Sequence, residues 1–125
     1  MPKPAAVSPT SNSDTAYFLK TGLERDKVFS AFWKGERRNG NESADDQAFM
    51  NKLAYWCNAD PDAMIRAFLQ STFYSQKDDN HKIKCGRMDY LPNTARKAIA
   101  TVYSTAKADY DKWQLNRKHE RSYAR

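Results

Sequence analysis

The residue types that bind metal ions or perform catalysis are few in this sequence. It contains two cysteines and two histidines, the usual zinc ligands: Cys57, His81, Cys85 and His119. Their spacings match none of the familiar zinc patterns. We therefore predict no metal site and no cofactor.

The acidic pair Asp45 and Asp46 is a second candidate for chemistry. Neighbouring residues on a helix point about 100° apart, which is poor geometry for clamping one metal ion or sharing one proton. We interpret the pair as charges that favour the start of a helix. The sequence also lacks a glycine-rich phosphate loop and a Gly-x-Ser-x-Gly elbow. We therefore expect the domain to be non-catalytic on its own.

Basic side chains are the residues whose chemistry suggests a ligand. The net charge is +6, which favours an anionic partner or a solvated surface. Lysine and arginine can hold phosphates through charge-assisted hydrogen bonds. Two polar segments, residues 34–42 and 72–88, and the start of the last helix supply the candidate contacts. These are Lys34, Arg37, Arg38, Lys77, Lys82, Lys84, Arg87, Arg96 and Lys97.

The length and composition indicate one small helical domain. The chain has 125 residues and four glycines, and it shows no alternating apolar pattern, so a β-sheet is disfavoured. We predict an all-α fold, a small bundle of about five helices. No apolar run is long enough to cross a bilayer and no secretory signal is visible, so we expect a cytoplasmic protein.

Residues 43–71 are the segment around which the other helices are expected to pack. Ser43 is predicted to cap the first of two helices, which ends at residues 57–59. Asp60 is predicted to cap the second, with Pro61 in its first position. Because the loop between them is short, the two helices must lie side by side and need others to cover their apolar faces.

Further helices are predicted on both sides of this segment. A first helix is expected to end at Gly22, and a second to begin near Arg25. The last helix is predicted to begin near Asp89 and to run to about Arg117 or beyond. The second polar segment, residues 72–88, is expected to be a loop.

The composition also divides the chain. Residues 1–13 hold three of the five prolines and are predicted to be a disordered linker or tail. The helical bundle is predicted to span residues 14–115. Residues 116–125 are expected to form a basic C-terminal tail.

Several short motifs carry a resemblance to a known family. They are a Phe-x-x-Leu-Trp-x-Gly-like segment at residues 29–35, a Ser-x-Ala-Asp-like helix start at 43–46, a Leu-Ala-Tyr/Phe-Trp close at 53–56, and an Asp-Tyr-x-x-x-Thr-x-x-x-Ala run at 89–98. In this order they resemble the helix-bundle domain that lies behind the catalytic domain of primase-polymerases from phages, plasmids and other mobile elements. Many relatives carry a Lys-Trp pair where this chain has Lys77-Asp78, so the role of that tryptophan does not transfer.

The resemblance implies an accessory domain of a replication protein. Such a domain supports primer synthesis by binding single-stranded template DNA, and the initiating nucleotide is a further expected ligand. An upstream primase-polymerase domain or a replicative helicase is the expected protein partner, and no membrane partner is expected.

Two alternatives remain open from the residues. The first is an adaptor that docks onto a helicase or polymerase without touching nucleic acid; an exposed apolar patch containing Phe18, Trp33 or Trp113 would favour it. The second is a helix-turn-helix duplex binder that uses the turn before Pro61. Acidic residues at positions 60 and 62 would repel phosphates there, so we rank it last.

Overall fold

The computed structural model describes the backbone of residues 12–123 and the side chains of residues 15–116, and the fold is all-α as predicted. Seven helices occur in the described residues: α1 Asn12–Arg25, α2 Lys27–Trp33, α3 Glu42–Trp56, α4 Pro61–Gln70, α5 Thr72–Ser75, α6 Asp79–Cys85 and α7 Tyr90–Tyr123. The prediction of a small helical bundle is confirmed. The count exceeds the expected five because two of the helices form within residues 72–88, predicted to be a loop.

The ends of the chain differ in part from the predicted boundaries. The predicted disorder of residues 1–11 lies outside the described residues, whereas residues 12 and 13 already belong to α1. At the other end α7 continues through Tyr123. Most of the predicted basic tail is therefore a continuation of the last helix.

The turn between α3 and α4 follows the sequence closely. Asp60 accepts hydrogen bonds from the amides of Asp62 and Ala63, and Pro61 takes the first helical position. Asn58 and Ala59 adopt positive φ angles of 53° and 57°, a left-handed conformation that ends α3 and turns the chain directly into α4.

The cap of α3 differs from the prediction. Asn41, and not Ser43, caps the helix by accepting a hydrogen bond from the amide of Ala44. The Ser43 hydroxyl instead accepts a hydrogen bond of 2.8 Å from Lys84 Nζ. Asparagine and serine cap helices about equally well, so the sequence did not distinguish the two positions.

Gly22 was predicted to end the first helix, and the structure corrects this. The helix continues through Gly22 to Arg25. A Cβ atom at residue 22 would lie only 2.5 Å from Cδ2 of Trp56. The glycine therefore allows α1 to lie directly against the indole ring at the end of α3.

Four phenylalanines from different helices form the centre of the core. Phe29, Phe49, Phe68 and Phe73 are fully buried. The Phe49 ring lies 4.9 Å from the Phe73 ring and 5.5 Å from the Phe68 ring, measured between centroids. Aromatic pairs at these distances add attraction beyond the burial of their surface, so α3 sits at the middle of the bundle.

Helices α3 and α7 form the most extensive helix pairing. Along α3, Asp46 contacts Tyr90, and one residue later the Gln47 amide donates to the carbonyl of Thr94. Near the far end of α3, Tyr55 bonds Asp109. Because the contacts advance in the same order on both helices, α3 and α7 run parallel. Their N-terminal ends therefore lie at the same end of the bundle.

The segment at residues 72–88 was predicted to be a loop, but it contains α5 and α6. Ser71 caps α5 by accepting from the Tyr74 amide, and Asp78 caps α6 by accepting from the His81 amide. These helices have four and seven residues, too few to show a helical period in sequence. The buried ring of Phe73 holds α5 in the core.

Candidate nucleic-acid interface

Lys77 lies between α5 and α6, and its position corrects the sequence-based choice of contact residues. It was predicted at the surface, but it is only 5% exposed. Its Nζ donates hydrogen bonds to Glu42 Oε2 at 2.5 Å and to Asp46 Oδ1 at 2.6 Å. An ammonium that is enclosed by two carboxylates cannot also hold a phosphate, so we remove Lys77 from the set.

Two further residues, Arg37 and Tyr90, extend these ion pairs into a continuous network of five residues, which we call the Lys77 network: Arg37, Glu42, Asp46, Lys77 and Tyr90. Arg37 Nε donates to Glu42 at 2.9 Å. The Tyr90 hydroxyl donates to Asp46 Oδ2 at 2.6 Å. Charges of opposite sign thus alternate from Arg37 through Glu42 and Lys77 to Asp46, and the neutral Tyr90 hydroxyl joins the start of α7 to the end of this series.

The network shifts the pKa values of its members. Burial alone would raise the pKa of Glu42, but hydrogen bonds from Arg37 and Lys77 outweigh it and lower the pKa to about 2. Burial alone would lower the pKa of Lys77, and the two carboxylates raise it above its usual value. Burial and the bond to Asp46 raise the pKa of Tyr90. Glu42 and Lys77 are therefore charged across the neutral range, and the Tyr90 hydroxyl keeps its proton there.

Asp45 and Asp46 are predicted to be helix-start charges, and Asp45 does lie in the first turn of α3. Both are buried. Asp45 Oδ1 accepts from the amides of Arg38 and Asn39 at 3.0 and 3.1 Å and from the Asn39 side chain at 2.8 Å. The pair therefore has two structural tasks, since Asp45 fixes the preceding loop and Asp46 holds Lys77.

Arg37 was also predicted to contact phosphates, and most of its donors are used within the protein. Nη1 donates to the carbonyl of Gly35 at 2.9 Å and Nη2 to the carbonyl of Phe73 at 3.0 Å. The guanidinium carbon lies 3.9 Å from the centroid of the Phe73 ring. Arg37 therefore fastens the loop before α3 to α5, and we treat it as a positioning residue.

The remaining predicted cations retain access to solvent. Lys34, Arg38, Arg87, Arg96 and Lys97 are exposed, and Lys82 and Lys84 are half-buried. Lys84 Nζ lies 5.0 Å from the centroid of the Tyr90 ring, and Lys82 Nζ lies 5.9 Å from that of Tyr74. Long cationic side chains can cover an aromatic ring and still present their charge to water.

The two basic segments meet at one end of the bundle. Arg37 joins residues 34–41 to α5, and the bond from Lys84 to Ser43 joins α6 to the start of α3. Tyr90 brings the start of α7 to the same place. We call this region, formed by residues 34–41, residues 76–89 and the first turn of α7, the basic end. Arg96 and Lys97 lie about 10 Å further along α7.

A different surface lies toward the far end of α3. A cavity of about 240 Å³ opens between α1, the end of α3 and α7, and it is mainly apolar. Its wall consists largely of aromatic side chains: Tyr17, Phe18, Tyr55, Trp56, Tyr110 and Trp113. Arg25 and Asp109 supply two opposite charges, and the Tyr55 hydroxyl donates to Asp109. We call this the aromatic cavity.

Sequence reasoning did not identify the aromatic cavity as a site. It singled out Phe18 and Trp113 as markers of an exposed apolar patch, and both line the cavity. Trp33, the third marker, instead packs against Phe29 and Phe49 in the core. The sequence feature that could have indicated the cavity is the adjacent aromatic pair Tyr17 and Phe18, whose rings contact Trp113 on α7.

Neither a group of metal ligands nor a membrane-spanning helix is found among the described residues. Among the side chains of residues 15–116, no three His, Cys, Asp or Glu are grouped so that they could hold a metal ion. Cys57 and Cys85 are buried thiols, and burial raises the pKa of Cys85 to about 11. No helix among these residues combines the length and apolar character needed to cross a bilayer.

One comparison with known proteins gave a match. A family model described as the NrS-1 polymerase HBD domain matches residues 42–108, which is more than half of the chain. The matched range begins with α3 and ends within α7, so it contains α4, α5 and α6 and all of the Lys77 network except Arg37. Searches of curated proteins and of solved structures found no match.

Replacing Lys77 by methionine should destabilise the domain strongly. The methionine fills a similar volume, but Asp46 and Glu42 then lose the cation that compensates their charge. Removing one partner of a buried ion pair costs about 3–5 kcal/mol. Urea denaturation measures the loss, and the exposed Lys97→Met is the matched control, expected to change stability by less than about 0.5 kcal/mol. Equal stabilities of the two variants would contradict the structural role of Lys77.

The stability of the domain should fall steeply in acid through Glu42. Its folded pKa is about 2, below the ordinary value of 4.5, so its contribution is complete above the unfolded pKa and is lost as the pH falls toward the folded value. Urea denaturation of the wild-type protein and of Glu42→Gln at about pH 6 and about pH 3 isolates this group. The gap between the two proteins should narrow at the lower pH, and a gap that stays constant would contradict the assignment.

Proposed function

Because the chain belongs to the family of the NrS-1 polymerase HBD domain, we propose that it is an accessory domain of a mobile-element primase-polymerase and binds single-stranded template DNA. The resemblance in its sequence motifs pointed to the same family. In this proposal a separate polymerase domain performs phosphoryl transfer, and the helical domain holds the template during primer synthesis. The initiating nucleotide, whose phosphates have the same charge chemistry, is a second proposed ligand.

The observation that carries the proposal is the convergence of the two basic segments at one end of the bundle. Two separate parts of the chain contribute accessible cations there: Lys34 and Arg38 before α3, and Lys82, Lys84 and Arg87 around α6. Arg96 and Lys97 continue the set about 10 Å further along α7. Glu42 and Asp46 are already occupied by Arg37 and Lys77. Four exposed carboxylates lie in the same region, Glu36, Asp78, Asp79 and Asp89, and Glu36 pairs with Arg38 at 3.5 Å. The seven accessible cations outnumber these four carboxylates, so the summed charge of the surface is positive.

Such a surface suits a single strand of nucleic acid. A row of cations follows a phosphate backbone without reading its sequence, and binding releases the counterions that surround the strand. A template must be held wherever it starts, so binding that tolerates any sequence fits the task. The backbone fixation by Asp45 and Arg37 holds the cations of the first loop in place before the strand arrives, which lowers the cost of ordering them.

One structural feature favours a second candidate function, an adaptor that docks onto a polymerase or helicase. The aromatic cavity contains Phe18 and Trp113, and Tyr17 in its wall is 52% exposed. Aromatic anchors in a partly apolar pocket are typical of protein-protein contacts. The two candidates differ in salt dependence, because an apolar contact does not weaken as salt is added.

The helix-turn-helix alternative gains no support from the geometry. Asp60 and Asp62 lie at the start of α4, where Asp60 caps the helix and Asp62 is exposed. This is the end of a recognition helix that would approach the major groove. Negative charge there opposes the approach of phosphates, so this alternative stays last.

Titration with a labelled oligo-dT strand at two salt concentrations tests the proposal. If about four cations neutralise phosphates, the affinity should fall about 50-fold between about 50 mM and about 200 mM salt. A double variant, Arg87→Gln with Arg96→Gln, should bind more weakly and should lower the slope of log K against log salt by about 1.4. Fluorescence anisotropy measures both quantities.

Lys112→Gln is the matched control for the charge variants. Lys112 is also exposed and lies on α7, but it is distant from the basic end. It should leave affinity and slope unchanged. Absence of binding at low salt, or binding that is indifferent to salt, would refute the proposed function.

A further inference from the structure

Two large apolar side chains are exposed within the most basic segment of the domain. Ile83 is 66% exposed and Met88 is 95% exposed. Residues 82–88 contain Lys82, Lys84 and Arg87 and no acidic residue. Single exposed apolar residues are ordinary on protein surfaces, but this pair is interspersed with the cations that the proposed function assigns to phosphates.

The local fold holds these side chains outward. Cys85 is buried and anchors the end of α6 against the core. Beyond it the amide of Gly86 donates to the carbonyl of Ile83 at 3.1 Å, and the amide of Arg87 donates to the carbonyl of Lys84 at 3.2 Å. These bonds close a tight turn between α6 and α7. Ile83 and Met88 are therefore presented on an ordered backbone.

The chemistry of the segment selects its partner. A ligand that complements this surface carries several negative charges, which pair with the cations, and also an apolar group, which covers the exposed apolar side chains. Unpaired bases in a single strand satisfy both requirements, since each nucleotide carries a phosphate and a flat ring that is open to contact. Nucleic-acid-binding proteins insert apolar side chains, including Ile and Met, between bases, and the methionine sulfur is attracted to aromatic rings.

We infer that Ile83 and Met88 contact the unpaired bases of the strand whose phosphates Lys82, Lys84 and Arg87 hold. The inference rests on the proposed function and adds to it a base-directed contact that is tolerant of sequence. It gives a reason for a preference for a single strand, because an apolar side chain that enters a duplex must first unstack neighbouring bases, and an unpaired strand avoids most of that cost.

A comparison of two oligonucleotides separates base contacts from phosphate contacts. One is oligo-dT and the other is an abasic strand of the same length, which keeps the phosphates and lacks the bases. At one fixed salt concentration the wild-type protein should bind oligo-dT more tightly. The double variant Ile83→Thr with Met88→Gln should lose about tenfold in affinity for oligo-dT and should bind the abasic strand as the wild type does.

Leu115→Gln is the matched control, because Leu115 is 63% exposed and lies about 37 Å along α7 from Tyr90. It should leave both affinities unchanged. The double variant and the Leu115→Gln control should both keep the wild-type fold, because all three substituted side chains are exposed, and circular dichroism checks this. Unchanged binding of oligo-dT by the double variant, or equal losses on both strands, would overturn the inference and leave the proposed function standing. If the wild-type protein binds neither strand, the proposed function itself fails.

Discussion

The burial of the Lys77 ammonium between Glu42 and Asp46 is the constraint on which the basic end depends. A buried charge is tolerated only when its partners are close and well oriented, so the two carboxylates on α3 fix where the turn between α5 and α6 can lie. Glu42 and Asp46 are one helical turn apart and thus face Lys77 together. Arg37 and Tyr90 complete the network, which ties the first loop and the start of α7 to the same point.

The network also separates two kinds of basic residue. Arg37 and Lys77 are bonded to the carboxylates of the network and stabilise the fold. The other predicted cations keep access to solvent and form no ion pair with these carboxylates. At the far end of α3 the surface consists largely of aromatic side chains, those that line the aromatic cavity. From Asp46 to Tyr55 the helix rises about 14 Å, so the basic end and the aromatic cavity are distinct surfaces.

The sequence predicted the parts of the fold that depend on local signals. The all-α class, the turn at Asp60 and Pro61 and the long last helix follow from helical periodicity and capping, which act between near neighbours. It did not predict the burial of Asp46 and Lys77, because their pairing joins residues 31 apart and each looks like an ordinary surface charge in sequence. Most predicted contact residues are accessible, but the distinction between positioning and binding residues needs tertiary contacts.

The central claim is that the accessible cations around the Lys77 network form the surface that meets single-stranded DNA. Mapping of amide chemical shifts in a 15N-labelled protein during titration with oligo-dT tests it most directly, since every element reports separately. The predicted result is a contiguous set of shifts at residues 34–41, residues 82–88 and around Arg96, with the aromatic cavity unaffected. Shifts centred on Tyr17 and Trp113, or spread evenly over the bundle, would contradict the claim.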